Sequence, residues 1–253
     1  MNNDRVRIGT SGFSYRDWLG NFYPQFCPQA DFLRFYSSQF STVEIDATFY
    51  RIPTIETVKK WVKTTPAKFV FAAKFPRTVT HEGDLAERVS SAAKFIEVMK
   101  HLDSKQGPLL LQFPYSFKPD QFDLLMGIVE SLPPGGQFAV ELRHKKWLEN
   151  EAMFVRLKER GIGFCLIDHP WMPRVNIRTG EFVYIRMLGD RNKIDSDFSY
   201  VRFQRDEELQ YWGELITDYA CGGVNCYAYF NNHYSGHAPS TADQLRQLLA
   251  DSH

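Results

Sequence analysis

Eight polar residues sit inside, or close the ends of, runs that are otherwise apolar. They are Glu44 in "TVEID", Lys74 in "FVFAAKF", Gln112 in "LLLQF", Glu141 and Arg143 in "FAVELR", Asp168 in "GFCLID", Arg186 in "FVYIRM" and Asn231 in "NCYAYFNN". The types are those of a reaction or binding site. Glu44 and Glu141 suit general acid–base work. Lys74, Arg143 and Arg186 suit the grip of a phosphate or carboxylate. Gln112 and Asn231 can orient a bound group by hydrogen bonds. Charge placed in an apolar run is costly unless it is paired, so a set recurring in run after run points to convergence on one place.

The runs that carry these residues span 6–11, 42–46, 69–75, 109–113, 138–143, 163–168, 182–187 and 225–232. As short apolar runs alternating with longer helical patterns, they predict strands. Between them, apolar residues at helical spacing predict helices over 30–39, 54–64, 86–102, 119–131, 151–160, 206–220 and 240–249. The connection after the sixth run, "HPWMPRVNIRTGE", predicts an irregular loop instead. Strand–helix alternation implies parallel strands with crossover helices. Eight such units in 253 residues predict a single-domain (β/α)8 TIM barrel, irregular after strand six, with a doubly wound open sheet as the alternative.

In a barrel, strand residues alternate between the helix layer and the interior. Val43 and Ile45 then face the helices and Glu44 faces in. The same parity turns Glu141, Arg143, Tyr184, Arg186, Tyr227, Tyr229 and Asn231 inward. Most of the polar set lies at C-terminal strand ends, the face on which this architecture builds its sites. Asp168, closing strand six, is expected to join the ring.

The loops extend the reading. "GTSGFSYRDWLGNFYP" (9–24) brings Ser11 and five aromatic residues, and its glycines let backbone N–H groups approach an anion. It is neither a GxxxxGK[ST] nor a GxGxxG loop. "ATFYRIP" supplies Tyr50. His81 and Glu82 do not form HExxH, because residue 85 is leucine. In "NNHYSGHAP" His233 is expected to face solvent, while Asn232 and His237 are placed to line or cap the pocket, His237 as a proton donor. Cations beside the carboxylates oppose a metal ion, so no metal and no cofactor is expected.

Composition narrows the rest. Thirty basic residues balance thirty acidic ones, which disfavours a protein that coats nucleic acid by bulk charge. The four cysteines form no CxxC pair and read as reduced thiols. No leader-like apolar segment and no membrane-length run is present, so a cytoplasmic protein is expected.

Together, "IGTSGFSYRDW", "FSTVEIDATFYRIP", "FAAKFPRTVTHE", "GPLLLQFPYSF", "FAVELRHKKW", "VYIRMLG" and "CYAYFNNHYSGHAPSTADQLRQLL" resemble the family called domain of unknown function 72, the YecE-like proteins, over about residues 5–249. The resemblance implies a (β/α)8 barrel and no particular reaction. Its pattern covers Gly9, Thr10, Ser11 and Gly12; Glu44, Thr48, Phe49 and Tyr50; Lys74, Pro76, His81 and Glu82; Gln112, Phe113 and Pro114; Glu141, Arg143 and Trp147; Arg186 and Gly189; and Tyr229, Phe230, Asn231, Asn232, Gly236, His237 and Ala238. His233 stands where the family usually has Asp, and Asp46 and Ala47 where Asn and Ser are common.

Three functions fit this set. The first is an enzyme or enzyme-like binder of a small phosphate- or carboxylate-bearing ligand: Lys74, Arg143 and Arg186 hold the anion, Glu44 or Glu141 moves a proton, and Ser11, Tyr50, Gln112, Asn231 and Asn232 shape the pocket. The second is a nucleic-acid-binding or processing protein, using the aromatics for stacking. The third, ranked last, is a glycoside hydrolase using Glu44 and Glu141 as a carboxylate pair.

Overall fold

Short stretches rich in Val, Ile, Leu and Phe form strands that are buried on both faces, one toward the helices and one toward the barrel interior, and each helix hides one apolar stripe against them. The computed structural model describes residues 5–251. In chain order the elements are β1 (Val6–Thr10), α1 (Phe32–Gln39), β2 (Thr42–Ile45), α2 (Ile55–Thr64), β3 (Val70–Lys74), the one-turn α3 (Arg77–Thr80), α4 (Leu85–Met99) and β4 (Gln106–Gln112). There follow α5 (Phe122–Ser131), β5 (Phe138–Glu141), α6 (Glu151–Glu159), β6 (Gly163–Asp168), β7 (Phe182–Met187), α7 (Asp206–Cys221), β8 (Asn225–Phe230), the one-turn α8 (Asn232–Ser235) and α9 (Ala238–Asp251).

Helix starts are set by local chemistry. Asp84 and Glu87 form a reciprocal capping box at α4, each side chain taking the other's backbone N–H at 3.0 Å. Thr54 and Asn150 cap α2 and α6 through Thr57 N–H and Met153 N–H. No helix joins β6 to β7; the segment carries Pro170 and Pro173, which interrupt a helical ladder.

The strands lie in the order β1-β8-β7-β6-β5-β4-β3-β2, all adjacent pairs parallel. The sheet curls into a nearly closed (β/α)8 barrel. Its seam between β1 and β2 is joined by the single Ser11–Glu44 bridge rather than a full ladder, with Gly12 N–H on Glu44 O at 2.7 Å. Below that bridge a side chain replaces the ladder. The buried Tyr36 hydroxyl accepts from Thr10 N–H at 2.9 Å and donates to Thr42 O at 3.0 Å. Gly9 allows this close approach, because a Cβ there would overlap the Thr42 carbonyl oxygen.

Two apolar bodies result. The larger, between strands and helices, contains Val43, Ile45, Val140, Leu142, Val183, Ile185, Met187, Cys226, Ala228 and Phe230. The smaller fills the barrel: Val70, Ala72, Leu110, Ala139, Cys165, Ile167, Phe182, Tyr184, Tyr227 and Tyr229. Ala72 and Ala139 on one wall make room for the tyrosines of β7 and β8 on the other.

Candidate functional site

The upper layer of the interior is built around one guanidinium. Arg186 leaves β7 pointing inward, because Ile185 and Met187 face the helices. Its Nη2 donates to Glu44 Oε1 at 2.7 Å, its Nε to the same oxygen at 3.2 Å, and its Nη1 to Glu141 Oε2 at 2.6 Å. Asp46 Oδ1 lies 3.4 Å from Nη2. The side chain of Arg186 is 2% exposed and those of Glu44 and Glu141 are 0% exposed, so water does not screen the contacts of Arg186 with the two glutamates. Glu44 is further held by Ser11 Oγ and by the Tyr184 hydroxyl, each donating at 2.7 Å. Glu141 also accepts from Arg143 Nε at 2.6 Å.

This arrangement orders the acid strengths. Burial by itself would raise the Glu141 carboxyl, but Arg143 and Arg186 outweigh it and hold Glu141 at about 2. Burial, then the Glu44 charge, pushes Asp46 up to about 6. Burial pulls the Lys74 ammonium down to about 8, with Asp46 acting against it. Asp46 and Lys74, just past β2 and at the end of β3, are thus a carboxylate and an amine of this site that are both moved toward neutrality. Glu44 and Glu141 are engaged with Arg186.

Among the described residues, Lys74 and Arg143 keep donors directed to no protein acceptor. Lys74 Nζ sits 3.7 Å from the centre of the Phe49 ring. Among the described residues it makes no hydrogen bond. Arg143 uses only Nε on Glu141, and its side chain is 28% exposed. The mouth thus offers an ammonium and the outer edge of a guanidinium, a donor set suited to an oxyanion.

The remaining expected residues are distributed around this centre. Ser11 lies in it, on Glu44. Gln112 is buried beside it, but its amide donates to Phe113 O at 2.5 Å. Tyr50 stands at the rim, exposed and edge-on to Phe49. Asn231 caps α8 through His233 N–H at 3.1 Å. Asn232 accepts from Trp18 Nε1 and Ala238 N–H. His237 packs against Trp18 and pairs with Ser240, its ring pulled down to about 4 by burial. It makes no contact with the Arg186 cluster.

Two expectations are corrected. Asp168 is not in the ring: it shares the outward parity of Phe164 and Leu166, and it accepts from Trp212 Nε1 at 2.7 Å, Tyr234 Oη at 3.1 Å and Arg174 Nε at 3.2 Å in the helix layer. His233 is half-buried rather than solvent-facing, with Nδ1 at 2.5 Å from Ile194 O and its ring against Phe198.

The structure also adds groups that the sequence did not single out for the site. Asp46 is one; its position directly after a carboxylate-bearing strand was the available signal. Tyr115, His144, His169 and Trp171 form a chain of rings on the loops after β4, β5 and β6. Aromatic residues within loops at C-terminal strand ends were the signal there. Among the described residues, no group of three or more His, Cys, Asp or Glu is placed to hold a metal ion. No helix among them is long and apolar enough to cross a membrane. A cavity of about 610 Å³ opens at the opposite end of the barrel, among Arg7, Ser41, Phe69 and Arg246, away from these groups.

Residues 7–253 match the family model described as a protein of unknown function, DUF72. A crystal structure of a DUF72 family protein from Thermotoga maritima is 30% identical, with a TM-score of 0.80 and coverage of 97% of this chain and 99% of that one. The UPF0759 protein YunF of Bacillus subtilis is 26% identical, the match covering 96% of this chain and 94% of YunF. The UPF0759 protein YecE of Escherichia coli is 30% identical over 137 residues, 53% of this chain. That match spans about half the length of YecE.

Proposed function

The chain belongs to the DUF72 family of proteins of unknown function, and from that premise we propose that it binds a phosphate- or carboxylate-bearing ligand at the C-terminal mouth of the barrel and carries out acid–base chemistry on it. One observation carries the reading: Lys74 Nζ and the outer nitrogens of Arg143 are cationic donors with no acceptor among the described residues, at the rim of a network in which Arg186 donates from Nε, Nη1 and Nη2.

Roles follow from the contacts. Lys74 and Arg143 grip the anion. Arg186 is the keystone that fixes Glu44 and Glu141 and, through Glu141, holds Arg143 in place. Asp46, at about 6, is suited to accept a proton near neutral pH, and Lys74, at about 8, to return one. Glu141 is too strongly acidic for that work. A sugar-cleaving pair is disfavoured, since both glutamates are fully buried and share one guanidinium, whereas such a pair must flank a substrate.

The test is thermal stabilisation by inorganic phosphate, sulfate and simple sugar phosphates, repeated with Lys74→Met and Arg143→Met. Stabilisation by a phosphate compound that both substitutions abolish is the expected result. Equal stabilisation of the wild type and both variants would place the anion elsewhere and end this reading.

A further inference from the structure

On one side of the mouth, three consecutive loops bring four aromatic rings into a chain. Tyr115 follows β4, His144 follows β5, and His169 and Trp171 follow β6. Ring centroids are 5.1 Å apart for Tyr115 and His144, 6.0 Å for Tyr115 and Trp171, and 5.0 Å for His169 and Trp171. Tyr115 is 50% exposed and Trp171 59% exposed, although both have ring partners and lie in ordered turns. Large aromatic faces left in water beside one another at the C-terminal end of the barrel mark a contact surface. Arg143, one of the two available cations, immediately precedes His144 in the chain.

We propose, building on the anion reading above, that this shelf stacks a planar heteroaromatic ring and that the ligand joins such a ring to the anion, as a nucleoside phosphate does. The phosphate lies on Lys74 and Arg143, and the ring lies on Trp171 and Tyr115. Two further observations favour a flat ring over a bare sugar. Sugars are held by side chains that order several hydroxyl groups, yet the carboxylates and the amide nearest Arg143 are already engaged: Glu44 and Glu141 on arginines and the Gln112 amide on Phe113 O. Burial, with Arg143 nearby, also lowers His169 from its ordinary value, which disfavours the charged form of a ring packed edge-on to Trp171.

The experiment is a titration of the full chain with adenosine 5′-monophosphate, ribose 5-phosphate and inorganic phosphate, read by tryptophan fluorescence and calorimetry. The nucleotide is expected to bind about tenfold tighter than ribose 5-phosphate, the range of one stacked base. Trp171→Ala should erase that advantage and leave ribose 5-phosphate binding unchanged, and Trp171→Phe should restore most of it. Thermal unfolding of Trp171→Ala confirms that this exposed substitution leaves the barrel intact. Equal affinities for nucleotide and sugar phosphate, or an advantage that survives Trp171→Ala, would overturn the shelf while leaving the anion site standing. Failure of all three phosphates to bind would overturn both. A twelve-nucleotide single strand supplies the last arm. Binding tighter than the mononucleotide and falling steeply with salt identifies the ring and phosphate as part of a strand, whereas binding no tighter identifies a free nucleotide.

Discussion

Replacing Arg186 by Met should be strongly destabilising, and the loss should depend on pH in a defined direction. The substitution keeps an unbranched side chain and removes the charge that holds Glu44 and Glu141, both fully buried. Glu44 keeps Ser11 and Tyr184, and Glu141 keeps Arg143, so neither is wholly abandoned. Removing one partner of a buried pair costs about 3–5 kcal/mol. The depression of Glu141 from 4.5 to about 2 corresponds to roughly 3 kcal/mol, shared between its two arginines. A loss of about 4 kcal/mol at pH 7 is consistent with both. For a chain of 253 residues the unfolding entropy is about 0.5 kcal/mol/K, so Tm should fall by about 8 °C. In the wild type, the depressed Glu141 contributes stability that is present above about 4.5 and lost as pH falls toward 2. Without Arg186 the carboxyl titrates higher and ionised Glu141 is a liability, so the deficit should narrow between pH 7 and pH 4. Adding Glu44→Gln and Glu141→Gln to Arg186→Met should recover part of the loss, since no buried anion then lacks its cation. Calorimetric unfolding across pH 4–8 reads all three. A drop below about 2 °C, a deficit that grows in acid, or a triple variant less stable than the single one would refute the keystone role.

Tyr36→Phe should cost about 3 kcal/mol in chemical denaturation, because it leaves Thr10 N–H and Thr42 O buried and unpaired at the seam; a cost under about 0.5 kcal/mol would show that the hydroxyl does not bridge β1 and β2. Gly9→Ala must push β1 from β2, whereas Gly135→Ala, at φ 77° with open space around it, bears only backbone strain of about 1 kcal/mol; equal losses in soluble yield and Tm would contradict the close seam. Asp46→Asn should stabilise the protein by about 2 kcal/mol at pH 7, since a carboxyl raised from 3.8 to about 6 loses its folded-state advantage as pH rises between those values; the difference from wild type should vanish near pH 4, and a constant difference across pH would exclude the raised pKa. Phosphate affinity should decline above about pH 8 as Lys74 loses its proton, and in Lys74→Met the residual affinity should lack that decline, as read by calorimetric titration.

The element pattern and the inward parity of most polar residues were legible before any coordinates, and the reason is local. A strand alternates faces every residue, so Val43 and Ile45 already oblige Glu44 to point the other way, and Ile185 and Met187 do the same for Arg186. The same parity, applied to Phe164 and Leu166, places Asp168 in the helix layer, where Trp212 and Tyr234 hold it. What local pattern does not carry is the partner. Arg186 meets Glu44 and Glu141 across sequence separations of 142 and 45 residues, and only closure of the barrel sets those distances. That closure engages Glu44 and Glu141, moves Asp46 and Lys74 toward neutrality, and leaves Lys74 and Arg143 with donors to spare. The aromatic shelf likewise exists only because β4, β5 and β6 are neighbours. The sequence alone determined which side chains would face the interior, because strand geometry repeats over two residues. The tertiary structure decided which of them are bound to each other and which remain for a ligand, because Coulomb energy and burial depend on distances set by the whole barrel.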